Sequence, residues 1–137
     1  MPMPRQLRRL GIATTELAVL APILTLLLFG THDIAQVMLT SLRLERAART
    51  GAQFALAKPQ DLTAVRNAVL AAAPGLTLAN VPMPVQSCEC ASSPASCSAT
   101  CPGGLVRVIT VVATQTLTPL LLTNRTQGVG NAVVRLR

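Results

Sequence analysis

Four cysteines stand within fourteen residues in CECASSPASCSATC: Cys88, Cys90, Cys97 and Cys101, separated by one, six and three residues. Thiols at this density can ligate a metal, cycle between thiol and disulfide, or staple the chain. Four thiolates can hold zinc, but the paired two-residue spacers of such sites are missing and the single histidine, His32, is far off in sequence. Redox catalysis is disfavoured by the lack of a C-x-x-C. If the domain lies outside the cytoplasm, its compartment favours two disulfides. Three pairings are then possible. A hairpin through this stretch would favour the nested one, Cys88 with Cys101 and Cys90 with Cys97. Either way the bonds would staple a Pro- and Ser-rich loop on a domain too small for a large core.

Little else in the chain suggests catalysis. His32 and Asp33 are adjacent, and adjacent residues on a helix point in different directions; no local motif sets a serine or cysteine nucleophile beside them. His32 reads instead as an interfacial residue at the outer boundary of a membrane segment. GVGNAV has too few glycines for a phosphate loop and lacks the preceding strand and following helix. The sequon NRT at Asn124 reads as a turn. No catalytic residue, metal, cofactor or small-molecule substrate is expected, so the chain is not read as an enzyme. One carboxylate remains in an unusual place: Glu16, in RRLGIATTELAVLAP.

The element that must position Glu16 is an apolar helix. From Leu17 to Thr31 the sequence LAVLAPILTLLLFGT carries no charge, and adding Ile12 to Glu16 gives twenty residues. At 1.5 Å per residue these span about 30 Å, the hydrocarbon thickness of a bilayer. Arg5, Arg8 and Arg9 precede the segment, Asp33 closes its other end, and Arg43, Arg46 and Arg49 come well after it. The N-terminus should therefore face the cytoplasm and the bulk of the chain the outside. A cleaved secretory signal peptide is the competing reading of a basic start and an apolar run. Against it, LLFGTHDIAQ offers no small-x-small site directly after the run, and the amphipathic pattern continues unbroken. Pro22 would free the carbonyl of Ala18 in a continuous helix, giving a kink or a packing contact.

Composition agrees with a small membrane-bound domain. The chain has 137 residues, half of them hydrophobic, and its only aromatics are Phe29 and Phe54, so the core must be aliphatic. The formal charge of +7 falls to +4 without the first eleven residues, which carry three arginines. The remaining basic residues are scattered with no aromatic stacking platform, which speaks against nucleic acid.

An acid deep in a bilayer costs roughly 2.5 to 3.5 kcal/mol on insertion scales and so usually faces a partner. Near the headgroups Glu16 could simply snorkel. If the chain were cut after Gly11, however, Ile12 would become a free α-amine with Glu16 as the fifth residue. Each charge could then neutralise its counterpart on a neighbouring chain and set the register of lateral assembly. Basic residues, Gly11, four residues, Glu16 and an apolar helix resemble the leader of type IV prepilins and pseudopilins, which a prepilin peptidase cuts after the glycine. ATTELAVLAPILTLLLFGTHDIAQ is similar to the N-terminal segment of TadE-like proteins, with Glu16, Pro22, Gly30 and Asp33 where that family has its glutamate, proline, glycine and acid. RAARTGAQFAL resembles the family's extended helix through Ala47, Ala48, Arg49, Gly51 and Ala52. VITVVATQTLTPLLL and NAVVRLR resemble its closing strands. THDIAQ departs from the pattern, lacking the usual aromatic after the acid and holding Gln36 where a basic residue is common. The resemblance implies a pseudopilin-like component of the Tad (tight adherence, Flp) pilus machinery. It also implies processing between Gly11 and Ile12, location in the inner membrane, and other pilins or pseudopilins and the assembly machinery as partners.

Beyond the membrane, apolar residues recur at helical spacing at Ile34, Val37, Met38, Ser41 or Leu42, Leu44, Ala48, Gly51, Ala52 and Ala55. Pro59 should end this helix near Ala57. Gly51 and the alanines form a small-residue stripe open to another backbone or to the chain's own sheet. Asp61 is a candidate N-cap for a second helix, LTAVRNAVLAAA, with Leu62, Val65, Val69 and Ala72 on one face. LTLANVPMPVQS reads as irregular or edge strand because Pro82 and Pro84 cannot donate to a ladder. GLVRVITVVATQTL and NAVVRLR read as strands joined by TPLLLTNRTQGVG, with turn signals at Asn124 and Gly128. The expected fold is α+β, a long N-terminal helix packed by a short helix and a small antiparallel sheet. Its parts are a leader over 1–11, a membrane helix over 12–31 and an extracytoplasmic domain over 32–137. Within the last are a helical stalk at 32–57, a helix at 61–73, the Cys loop at 88–101 and strands at about 104–117 and 130–137. A different class of protein fits the same elements: an uncleaved, membrane-anchored binding module whose Cys loop recognises a partner.

Overall fold

One continuous helix, α1 (Arg5–Ala57), carries the whole molecule. The computed structural model describes residues 5–91, 93–121 and 126–136, with side chains from Thr14 onward. Pro22 lies inside α1 without ending it. Two hydroxyls in the apolar stretch are satisfied within the helix, Thr25 Oγ1 donating to Ala21 O at 2.7 Å and Thr31 Oγ1 to Leu27 O at 2.9 Å. They therefore ask nothing of a surrounding apolar medium. At the other end Lys58 N still donates to Phe54 O at 3.0 Å, and Pro59, which has no N–H, stops the ladder as expected.

After that stop, Asp61 caps α2 (Leu62–Ala72) by accepting from Ala64 N at 2.8 Å, as its position in the sequence predicts. Val65, Val69 and Ala73 are fully buried. Ala73 takes the place expected of Ala72, which is exposed, because at the C-cap the backbone leaves helical geometry (φ −132°) and swings that methyl inward. The segment 74–84 is irregular, and three of its carbonyls accept from arginines. Arg66 Nε donates to Val81 O at 2.6 Å and its Nη2 to Leu78 O, while Arg43 donates to Pro74 O.

Four antiparallel strands follow: β1 (Val85–Cys90), β2 (Ser93–Ala95), β3 (Leu105–Leu117) and β4 (Thr126–Leu136), in the order β2-β1-β3-β4. Alternation along β3 turns Ile109, Val111 and Ala113 onto the helix, where they meet Leu44, Ala47, Ala48, Ala52 and Ala55 of α1 and Val65 and Val69 of α2. The core is aliphatic, with Phe54 packed at its margin. Alanines are what the geometry needs, because they let a helix lie close on both a second helix and a sheet.

Two expectations are corrected here. The last strand begins at Thr126 rather than 130, so Gly128 is a strand residue and not a turn signal. It sits under α1, where a Cβ would touch Leu44, Thr40 and Ser41, and a Cβ on Gly130 would run into the Leu44 and Glu45 backbone. These glycines thus mark close approach, not reversal. The other correction concerns α1 above the apolar stretch. Val37 and Ser41 are half-buried, but Ile34, Met38 and Leu42 point outward, 55%, 63% and 52% exposed. Above Asp33 the fully buried face begins at Leu44. Asn124 lies outside the described residues.

Candidate functional site

The residues singled out from sequence lie along α1 in three groups. Gly11 and Ile12 are in its first turns, and their side chains lie outside those described. Glu16 is exposed one turn further on, and the helix from Leu17 to Phe29 presents leucines, isoleucine and valine on all sides. An apolar helix uncovered all round has no core of its own to enter. Gly30 has open space where a side chain would be, so no contact among the described residues requires a glycine there.

The second group forms where the apolar stretch ends. Asp33 is 3% exposed and its two carboxylate oxygens accept from consecutive backbone amides, Oδ1 from Leu120 N at 3.0 Å and Oδ2 from Leu121 N at 2.8 Å. Hydrogen bonds to an ionised acceptor are roughly twice as strong as neutral ones. The acid therefore fastens the loop between β3 and β4 to α1. His32, Gln36 and Val37 join Asp33 and residues 116–120 around a cleft of about 260 Å³. His32 Nε2 and Gln36 Nε2 are 3.3 Å apart one turn along the same helix face. His32 and Asp33 do diverge, as adjacent helical residues must: one is exposed and the other buried. The partner of Asp33 is 87 residues away, beyond the reach of any local pattern. Arg66 and its clamp on residues 78–81 were equally invisible to periodicity.

The third group is internal. Gly51 is buried where a Cβ would strike Val69 and crowd Val111, so the small-residue stripe receives the chain's own α2 and β3. Arg49 pairs with Glu45 one turn earlier at 2.5 Å, an exposed pair worth about 0.3 to 0.5 kcal/mol.

All four cysteines are in disulfides, but not in the nested pairing. Cys88 is joined to Cys97 and Cys90 to Cys101, with Cα separations of 5.1 and 5.6 Å. Strand register explains the difference. The β1–β2 turn falls directly after Cys90, so Cys88 stands opposite Ala95 and Cys97 follows just beyond it, in the turn past the end of β2. Cys90 pairs with Leu105 at the start of β3, which draws Cys101, four residues earlier, towards it. Both bonds pin the β2–β3 connection to β1. The check is by paired substitution: Cys88→Ser with Cys97→Ser should leave no alkylatable thiol in non-reduced protein. Cys88→Ser with Cys101→Ser should leave two.

The geometry defines a class: an α+β domain built on a single helix long and apolar enough to cross a membrane, closed by a four-stranded antiparallel sheet and two disulfides. Residues 11–53 match the family model described as TadE-like protein. That match spans Glu16, Pro22, Gly30, Asp33, Arg49 and Gly51 and confirms, over this segment, the resemblance drawn from the motifs. The two closing strands lie beyond it. No curated protein and no solved structure matches the chain. The matched segment contains the stretch of α1 that is long and apolar enough to cross a membrane.

Proposed function

We propose that this chain is a pseudopilin-like subunit for the assembly or biogenesis of a Tad-type pilus, cut by a prepilin peptidase after Gly11 and held in the inner membrane by α1. The observation that carries the reading is that the TadE-like match opens at Gly11 and follows one unbroken helix through the apolar stretch into the domain. Cutting there would place the Ile12 amine and Glu16 at one end of an apolar helix, as a charge pair for the equivalent groups of neighbouring subunits. Ile34, Met38 and Leu42, with Leu39 at 67% exposure, prolong the apolar surface of α1 for about two more turns. A neighbouring helix could pack there. Two disulfides favour an oxidising compartment for the domain, and hence a cytoplasmic N-terminus. The role is assembly rather than catalysis.

Intact mass of the protein recovered from its own membranes is the test. The expected mature chain begins at Ile12, and Gly11→Ala should retain the full mass and lose assembly. Glu16→Gln should still be cut, yet incorporate about tenfold less, the equivalent of ~1.4 kcal/mol. A Gly11→Ala variant unchanged in both mass and function would leave a plain membrane anchor.

A further inference from the structure

The geometry points to a second membrane contact: Leu120 and Leu121, just after β3, enter the lipid headgroup region beside the point where α1 leaves the bilayer. This rests on the reading of the apolar stretch as membrane-spanning. The uncharged helix ends at Thr31, and Asp33 is two residues beyond, about 3 Å along the axis. The headgroup region adds some 5 to 8 Å to each side of the hydrocarbon layer. Because Asp33 holds the amides of Leu120 and Leu121 at 3.0 and 2.8 Å, the backbone of these two residues is fixed within that layer.

The side chains it presents suit the place. Leu120 is 69% and Leu121 is 42% exposed, Thr118 and Pro119 leading to them carry no charge, and the nearest ionisable residue in sequence is Arg125. One turn below Asp33, on the same side of α1, is Phe29, 43% exposed, so Leu120 and Leu121 lie beside a surface already apolar. Here leucines are held at the depth where interfacial apolar groups partition into lipid.

The chain contains no Trp and no Tyr, so one introduced tryptophan reports alone. Full-length Leu24→Trp, Leu120→Trp and Leu56→Trp would each be placed in phosphatidylcholine–phosphatidylglycerol nanodiscs, one copy per disc. Leu24 is the reference within the apolar stretch; Leu56 lies about 35 Å beyond Asp33 along α1. Leu120→Trp should emit to the blue of Leu56→Trp and be quenched about threefold more by lipid brominated near the headgroup end of the acyl chain. If Leu24→Trp is quenched by bromolipid and Leu120→Trp is not, the loop contact is overturned while the spanning helix stands. Acrylamide access to Leu120→Trp would then mean water. Shielding from both quenchers would mean protein. If Leu24→Trp itself escapes bromolipid, the spanning reading falls and the loop contact with it. Leu121→Trp repeats the measurement should the Leu120 variant lose its circular dichroism.

Discussion

Gly130→Ala should destabilise the domain by about 3 kcal/mol or more, at the upper end of overpacking effects. A methyl group there meets the backbone of Leu44 and Glu45, not the mobile end of a side chain, so α1 must retreat from β4 to admit it. Retreat would open the contact of Leu44 with the buried cluster of Ile109, Val111 and the alanines. Gly128→Ala is the internal control. Its added methyl finds Leu44 Cδ1 and Thr40 Cγ2 at 3.3 Å and Ser41 Oγ at 3.6 Å, all side-chain atoms able to give, and should cost under about 1 kcal/mol. Urea unfolding of both variants in nanodiscs, followed by circular dichroism, decides between them. Equal losses would mean that α1 does not lie on β4 as closely as described.

Removing the carboxylate of Asp33 should have the second large effect. Asp33→Ala leaves the amides of Leu120 and Leu121 without their acceptor, at about 1 to 3 kcal/mol for each group that finds no replacement. Asp33→Asn should rescue little, because an amide offers one oxygen to two N–H donors and turns its own NH2 towards the other. Hydrogen exchange reads this directly. Both amides should lose protection in Asp33→Ala and one of the two in Asp33→Asn, with amides in β3 near Ile109 unchanged. Unaltered protection at Leu120 and Leu121 would show that other contacts hold the loop.

Sequence patterns reached those parts of the molecule whose causes are local. Pro59 ending α1, Asp61 capping α2 and the β-branched run forming β3 each follow from a few neighbouring residues. Register was not legible in the same way. The position of the β1–β2 turn decides which cysteines meet, and nothing in CECASSPASCSATC fixes a turn directly after Cys90 rather than further on. Gly128 misled for a related reason, since glycine is used both for reversal and for close approach, and only the helix lying across it tells which. Along α1, hydrophobic spacing alone could not divide residues facing the sheet from Ile34, Met38 and Leu42, because both sets are apolar. Asp33 carried the right identity at the right place, but its role depends on a loop that the topology brings back from the far end of β3.

The absence of any break in α1 between the apolar stretch and the domain has a mechanical consequence. Nothing between them can act as a hinge, and the Asp33 tether braces the junction. From Asp33 to Ala57 the helix extends about 36 Å, so a change of about 10° in its inclination, small against the ~20° mean tilt of membrane helices, sweeps the far end sideways by ~6 Å. The domain is thus a pointer on the membrane segment. Whatever leans that segment over, a neighbouring helix or a thinner bilayer, displaces the disulfide-bonded tip by more than the width of a β-strand spacing.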